Sequence, residues 1–121
     1  MAALVDECRA ANVPAELIIN GEPIDLSPQA ELTLYRAAQE GLTNVRKHAR
    51  ASRATVTLEY YGAHAVRLVI EDNGVGGDAS NGGFGLLGVR ERAQLLGGSV
   101  RVRSVPNEGF VLEVELPVPS S

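Results

Sequence analysis

Three short stretches carry the side chains able to do chemistry. Asp72-Asn73-Gly74-Val75-Gly76-Gly77 follows directly on an apolar run. A carboxylate beside clustered glycines can recognise a nucleobase, because glycine lets the backbone pass close to a ligand. Upstream, Glu40, Asn44 and Lys47 stand at helical spacing. The Asn44 amide oxygen is a hard ligand suited to Mg²⁺, which takes one or two protein ligands and keeps several waters. Glu40, one turn earlier, can hold a metal-bound water or orient Asn44, and Lys47 can bring a cation to a phosphate. Downstream, Gly82-Gly83-Phe84-Gly85-Leu86-Leu87-Gly88-Val89-Arg90 opens into a second helix. Backbone amides around Gly83, Gly85 and Leu86 can there face an anion with the helix dipole behind them. Each stretch alone has a plainer reading. Asp-Asn-Gly is an ordinary turn, Glu40 sits at pairing distance from Arg36 on what could be a solvated face, and isolated glycine-rich loops often mislead. Base, metal and phosphate recognition in one chain together describe a site for Mg-ATP.

The elements that must position these residues follow from periodicity. Residues 2–11, Ala-rich with Leu4, Val5 and Cys8 at helical spacing, read as a short packing helix before Asn12 and Pro14. Residues 16–20 read as a strand. Ser27 followed by Pro28 is an N-cap with proline at the first helical position, starting a helix that runs to about His48. At about 100° per residue, Leu34, Ala38, Leu42, Val45 and Ala49 gather on one side, and Arg36, Glu40, Asn44 and Lys47 on the other. Residues 54–61 and 66–71 alternate in polarity across the Gly62-Ala63-His64 link, so they form an antiparallel hairpin that delivers Asp72 to the glycines. The next helix spans roughly Leu86 to Leu96, with Leu86, Val89, Ala93 and Leu96 as its apolar stripe, and ends at Gly97-Gly98. A last hairpin uses Val100 and Val102, then Phe110, Leu112, Val114 and Leu116, and stops at the prolines 117 and 119. Helices set between antiparallel hairpins imply an α+β, two-layer sandwich: a mixed, mostly antiparallel sheet with helices on one face.

Composition narrows the partners. At 121 residues the chain fits one domain, and 45% hydrophobic with 21% charged residues is ordinary globular usage. A net charge of −4 with no basic run lacks the phosphate-backbone footprint of a nucleic-acid binder. The lone Cys8 cannot form an internal disulfide, and no signal peptide or long apolar span is present. A reducing, cytoplasmic setting with no membrane contact by this domain is therefore expected. Lys47 is the one lysine among 11 basic residues, which draws attention to its place beside Asn44.

Residues 34–49, LYRAAQEGLTNVRKHA, resemble the asparagine box of sensor histidine kinases; residues 72–76 resemble their first glycine box, and residues 83–92, GFGLLGVRER, their second. The match runs through nearly the whole chain in order and spacing. It points to the subfamily that works with NarL/LuxR-type response regulators. The resemblance implies a Bergerat ATP-binding fold, shared with gyrase, Hsp90 and MutL. It further implies that Asp72 accepts the adenine amino group, that Gly74 and Gly76 support the base, and that Asn44, with Glu40, serves metal and catalysis. Lys47, His48 and the turn holding Gly83, Gly85, Leu86 and Gly88 would complete the nucleotide site. ATP and Mg²⁺ are then the expected cofactors.

Neither histidine resembles the family's phosphoacceptor. His48 closes the asparagine-box helix, where it suits the helix dipole, and His64 reads as an exposed loop residue. Residues 1–121 are accordingly expected to be a single catalytic domain, whose sensor and dimerisation parts, with the acceptor histidine, belong to a longer and homodimeric parent. Other readings on the same fold are an anti-sigma-factor serine kinase and a non-catalytic nucleotide-sensing module. The Leu-x-Gly-x-Arg-Glu-Arg pattern favours the histidine kinase. The sequence also departs from its relatives: only residues 78–81 separate the glycine boxes, implying a very short lid, and Glu108-Gly109-Phe110 stands where a Gly-x-Gly-Thr turn is common. Gly41 in mid-helix costs about 1 kcal/mol against alanine, with no reason visible in the sequence.

Overall fold

The computed structural model describes residues 15–22, 24–48, 54–62, 64–72, 83–105 and 109–118. The expected N-terminal helix, with Cys8, and the first glycine box beyond Asp72 lie outside these residues. Five strands form one sheet in the order β1-β2-β3-β5-β4. β1 (Ala15–Asn20) runs parallel to β2 (Ala54–Tyr61), because the chain returns between them through the helix α1 (Pro28–His48). β3 (Ala65–Asp72), β4 (Ser99–Val105) and β5 (Gly109–Pro117) make the remaining pairs antiparallel. The helix α2 (Gly83–Leu95) lies between β3 and β4 in the chain. The expected α+β sandwich is the fold.

Strand alternation sorts the sheet into two faces. Val56 and Leu58 of β2, Val66, Leu68 and Ile70 of β3, Leu112, Val114 and Leu116 of β5 and Val100 of β4 are buried beneath the helices, forming one core with Leu34, Ala37, Ala38, Leu42, Val89 and Ala93. The opposite face is laced by charge. Arg67 Nε lies 2.9 Å from Glu113 Oε1, and Arg67 Nη1 lies 4.0 Å from Glu59 Oε1 and donates to Tyr61 Oη at 3.4 Å. Such half-exposed pairs contribute little stability and serve mainly to keep this face solvated.

Local signals act where the sequence puts them. The Ala30 amide donates to Ser27 Oγ at 3.1 Å, capping α1. The buried Thr33 hydroxyl donates to the Gln29 carbonyl at 2.8 Å, so its polar atom costs no unsatisfied bond. α2 ends in a Schellman motif: Gly98 N donates to the Ala93 carbonyl at 2.7 Å and Gly97 N to the Gln94 carbonyl at 3.0 Å, with Gly97 at φ 80°. A side chain at Gly98 would collide with the Glu115 carbonyl oxygen, which fixes α2 close against β5. α2 starts at Gly83, about one turn ahead of the expected Leu86, so the glycines form its first turn. Tyr60 packs against the core as expected of a sheet residue, whereas Tyr35 and Tyr61 are 40% and 45% exposed. His64 is exposed in the β2–β3 turn.

Candidate functional site

Gly41 sets the height of α1 above the sheet. A Cβ added there would stand 2.7 Å from Ile70 Cδ1 and 3.1 Å from Leu112 Cδ2, so the helix backbone rests directly on β3 and β5. This is the reason, invisible in the sequence, for a glycine in mid-helix. It also fixes direction. Glu31, Leu34 and Tyr35 line one groove with Leu58 and Tyr60, and Tyr60 pairs in register with Val66. α1 therefore begins at the level of Val66 and reaches the level of Ile70 at Gly41, running in the direction of β3. Asn44 lies about 4.5 Å further along the axis, and Asp72 about 6.6 Å beyond Ile70. The last turns of α1 and the end of β3 thus arrive together at one end of the sheet.

α2 comes to the same end from the other direction. Leu96, just past its C-terminus, shares a small cleft with Ser27 and Ala30 at the N-terminus of α1, and with Pro117 and Val118. The two helices pack on one another, so their directions are opposed. The N-terminal turn of α2, Gly83 to Leu86, accordingly belongs to the end where α1 finishes. Its amides have no intrahelical acceptor.

The side chains at this end differ in setting. Asp72 is 8% exposed, on the helix-covered face of the central strand, with Oδ2 sealed from solvent. A carboxylate is an acceptor, and a base amine is a donor. Glu40 is half-buried on α1 immediately before Gly41. Asn44, Lys47 and His48 fall within the last two turns of α1. Gly83, Gly85 and Leu86 form the first turn of α2, and Gly88 follows one turn later, exposed, with no atom within 4 Å of where a Cβ would stand. Gly74 and Gly76 lie outside the described residues. By residue type this set can serve a magnesium nucleotide: an acceptor carboxylate for the base, helix-borne oxygens for a hard cation, and helix N-terminal amides for phosphate. Sequence reasoning missed Gly41 as the residue that sets this geometry. Its one signal was a glycine in mid-helix with no stated purpose.

Comparison with known proteins gives a consistent picture. Residues 29–120 match the family model described as "Histidine kinase-, DNA gyrase B-, and HSP90-like ATPase". The chain is 34% identical over 110 residues to the sensor histidine kinase LnrJ of Bacillus subtilis, covering 91% of this chain and 27% of that protein. It is 40% identical over 91 residues to the signal transduction histidine-protein kinase/phosphatase DegS of Brevibacillus brevis, covering 73% and 23%. It therefore spans about a quarter of the length of these curated relatives. Among solved structures, the histidine kinase domain of the Erythrobacter litoralis EL346 blue-light activated histidine kinase superposes with a TM-score of 0.72 over 97% of this chain and 60% of that one, at 23% identity. The Acinetobacter baumannii histidine kinase AdeS superposes with a TM-score of 0.74 at 17% identity, over 98% of this chain and 61% of that one. These two show the shared fold. No described helix is long and apolar enough to cross a membrane.

Proposed function

Because the chain belongs to the histidine kinase-, DNA gyrase B- and HSP90-like ATPase family, we propose that it binds Mg-ATP and supports phosphorylation of a histidine on a dimerisation domain outside this chain. The observation that carries the reading is the buried Asp72 carboxylate, at the end of the central strand where α1 finishes and α2 starts. In this reading Asp72 accepts the adenine amine and Gly74 and Gly76 let the base approach the backbone. Asn44 ligates Mg²⁺, and Glu40 orients Asn44 or holds a metal-bound water. Lys47, His48 and the amides of Gly83, Gly85 and Leu86 hold the phosphates, and Gly88, one turn on and without a side chain, leaves room beside them. When bound, ATP supplies the γ-phosphoryl group, with Mg²⁺ offsetting its charge.

The chain's own contribution is positioning and electrostatic stabilisation rather than covalent chemistry. The phosphorylated histidine would pass its phosphoryl group to an aspartate of a NarL/LuxR-type response regulator. The parent would be a homodimer, with this domain in the cytoplasm and the sensor and dimerisation parts elsewhere in the same protein. The relatives' names, a sensor histidine kinase and a signal transduction histidine-protein kinase/phosphatase, support this over the serine kinase.

Calorimetric titration with a non-hydrolysable ATP analogue and Mg²⁺ tests the reading. We expect one-site binding that Asp72→Asn weakens at least 10-fold while circular dichroism shows the fold intact. Absence of binding by folded protein, or an unchanged affinity in the variant, refutes the assignment.

A further inference from the structure

Away from this site, β4 ends the sheet with its outer edge unpaired among the described elements. A groove of about 500 Å³ lies there, lined by Arg90 of α2, Arg101 and Arg103 of β4, Glu113 of β5, and the aliphatic Val100, Val102 and Val111. All three arginines are exposed. None of them has an ion pair among the described residues: Glu113, which faces Arg101 across the ladder, is held by Arg67 at 2.9 Å, and Arg103 faces Val111. Three cations against the single carboxylate of Glu113 in one groove stand out on a chain whose net charge is −4.

The partner already on β4 shows what the strand accepts. β5 reads Val111-Leu112-Glu113-Val114-Glu115-Leu116, carboxylates alternating with aliphatic residues, and its residues 109–115 pair with β4. Along an extended strand, alternate residues lie about 6.7 Å apart on one face. Arg101 and Arg103 have that spacing, so an acidic strand laid on the free edge would meet both guanidiniums with consecutive same-face carboxylates. Its intervening aliphatic residues would fall level with Val100 and Val102. We propose that the β4 edge is a docking surface for an extended segment of a partner protein in which acidic and aliphatic residues alternate. The segment adds to the sheet as a sixth strand, by backbone hydrogen bonding with arginine-directed specificity.

The proposal is independent of nucleotide, so its test is run without it. A fluorescein-labelled peptide alternating Glu and Val over the seven-residue length of β4 is titrated with the full chain at low ionic strength, reading anisotropy. A peptide of the same composition with Glu and Val in separate blocks, and inorganic polyphosphate, are the controls. The alternating peptide is expected to bind saturably and to perturb the backbone amide resonances of Ser99–Val105 first. The doubly substituted R101Q/R103Q protein is expected to bind at least 10-fold more weakly with an unchanged melting temperature. Should that protein fail to fold, R90Q alone is expected to weaken binding several-fold. Equal binding of the blocked peptide or of polyphosphate would reduce the groove to a general anion surface and overturn the proposal. So would perturbations confined elsewhere, unchanged affinity in the variants, or no binding at all, which would leave the arginines as protection of an exposed edge only.

Discussion

The same substitution at two mid-helix glycines should have opposite signs. Replacing glycine by alanine in a helix interior contributes about 1 kcal/mol through propensity alone. At Gly88 nothing lies within 4 Å of the added Cβ, so Gly88→Ala should gain most of that, about 0.5–1 kcal/mol. At Gly41 the Cβ would meet Ile70 Cδ1 at 2.7 Å, Leu112 Cδ2 at 3.1 Å and Ile70 Cγ2 at 3.3 Å. Both neighbours are fully buried; Ile70 Cδ1 is a movable end, but Cγ2 sits on the branched carbon and cannot retreat independently. Overpacking of this kind costs about 1–3 kcal/mol, which outweighs the propensity gain and leaves Gly41→Ala less stable by about 1 kcal/mol. For a domain of this size that is about 3–6 °C in melting temperature. The assay is urea denaturation followed by far-ultraviolet circular dichroism, with Ile70→Val as the second arm. Removing Cδ1 alone should cost about 0.5–1.5 kcal/mol, and in the Gly41→Ala background it should cost clearly less. A Gly41→Ala protein as stabilised as Gly88→Ala, or an Ile70→Val cost that is additive with it, would refute the claim that α1 rests directly on β3.

Further expectations concern single groups. Ser27→Ala removes the acceptor for the Ala30 amide and should cost about 1 kcal/mol, measured in the same urea assay; no change would mean water replaces the cap without loss. Asn44→Ala should leave folding intact but flatten the Mg²⁺ dependence of nucleotide binding, read by titrating the metal at fixed nucleotide. An unaltered dependence would remove Asn44 from the site. Burial, and secondarily the negative charge of Glu31, push the Tyr60 hydroxyl above its ordinary value of 10.0. The folded state therefore holds this proton more tightly than the unfolded chain. The associated stability is complete below about pH 10 and is lost as pH rises through the elevated folded value. Tyr60→Phe should show a shallower alkaline loss of stability, and identical alkaline limbs would argue against the shift.

Much of this architecture was legible because its signals are local. The Ser27-Pro28 cap, the two alternating hairpins and the Gly97-Gly98 stop each need only a few neighbouring residues to act. What escaped depends on contacts distant in the chain. That Gly41 is a contact point rather than a defect depends on Ile70 and Leu112, and that β1 joins the sheet parallel to β2 depends on the crossover through α1. The early start of α2 escapes the sequence because glycine is a poor helix former by type, although the amides of Gly83 and Gly85 remain suited to anions as a first helical turn. Tyr35 and Tyr61 are aromatic by type, yet their positions leave them exposed. At the candidate site, residue types showed which chemistry is possible; only the opposed directions of α1 and α2 show why residues as far apart as Glu40, Asp72 and Gly83 come to one end.

Asp72 closes the middle strand, whose amides are bonded on both sides, whereas the opening turn of α2 offers amides with no acceptor in its own helix. Solvent deuterium should enter these two walls of the proposed site at different speeds. The base would dock at the end of a hydrogen-bonded strand and the phosphates on a turn whose amides exchange faster. An anion that settles on the α2 turn should slow exchange there and leave β3 unchanged, so deuterium uptake would separate recognition of the phosphate tail from recognition of the purine.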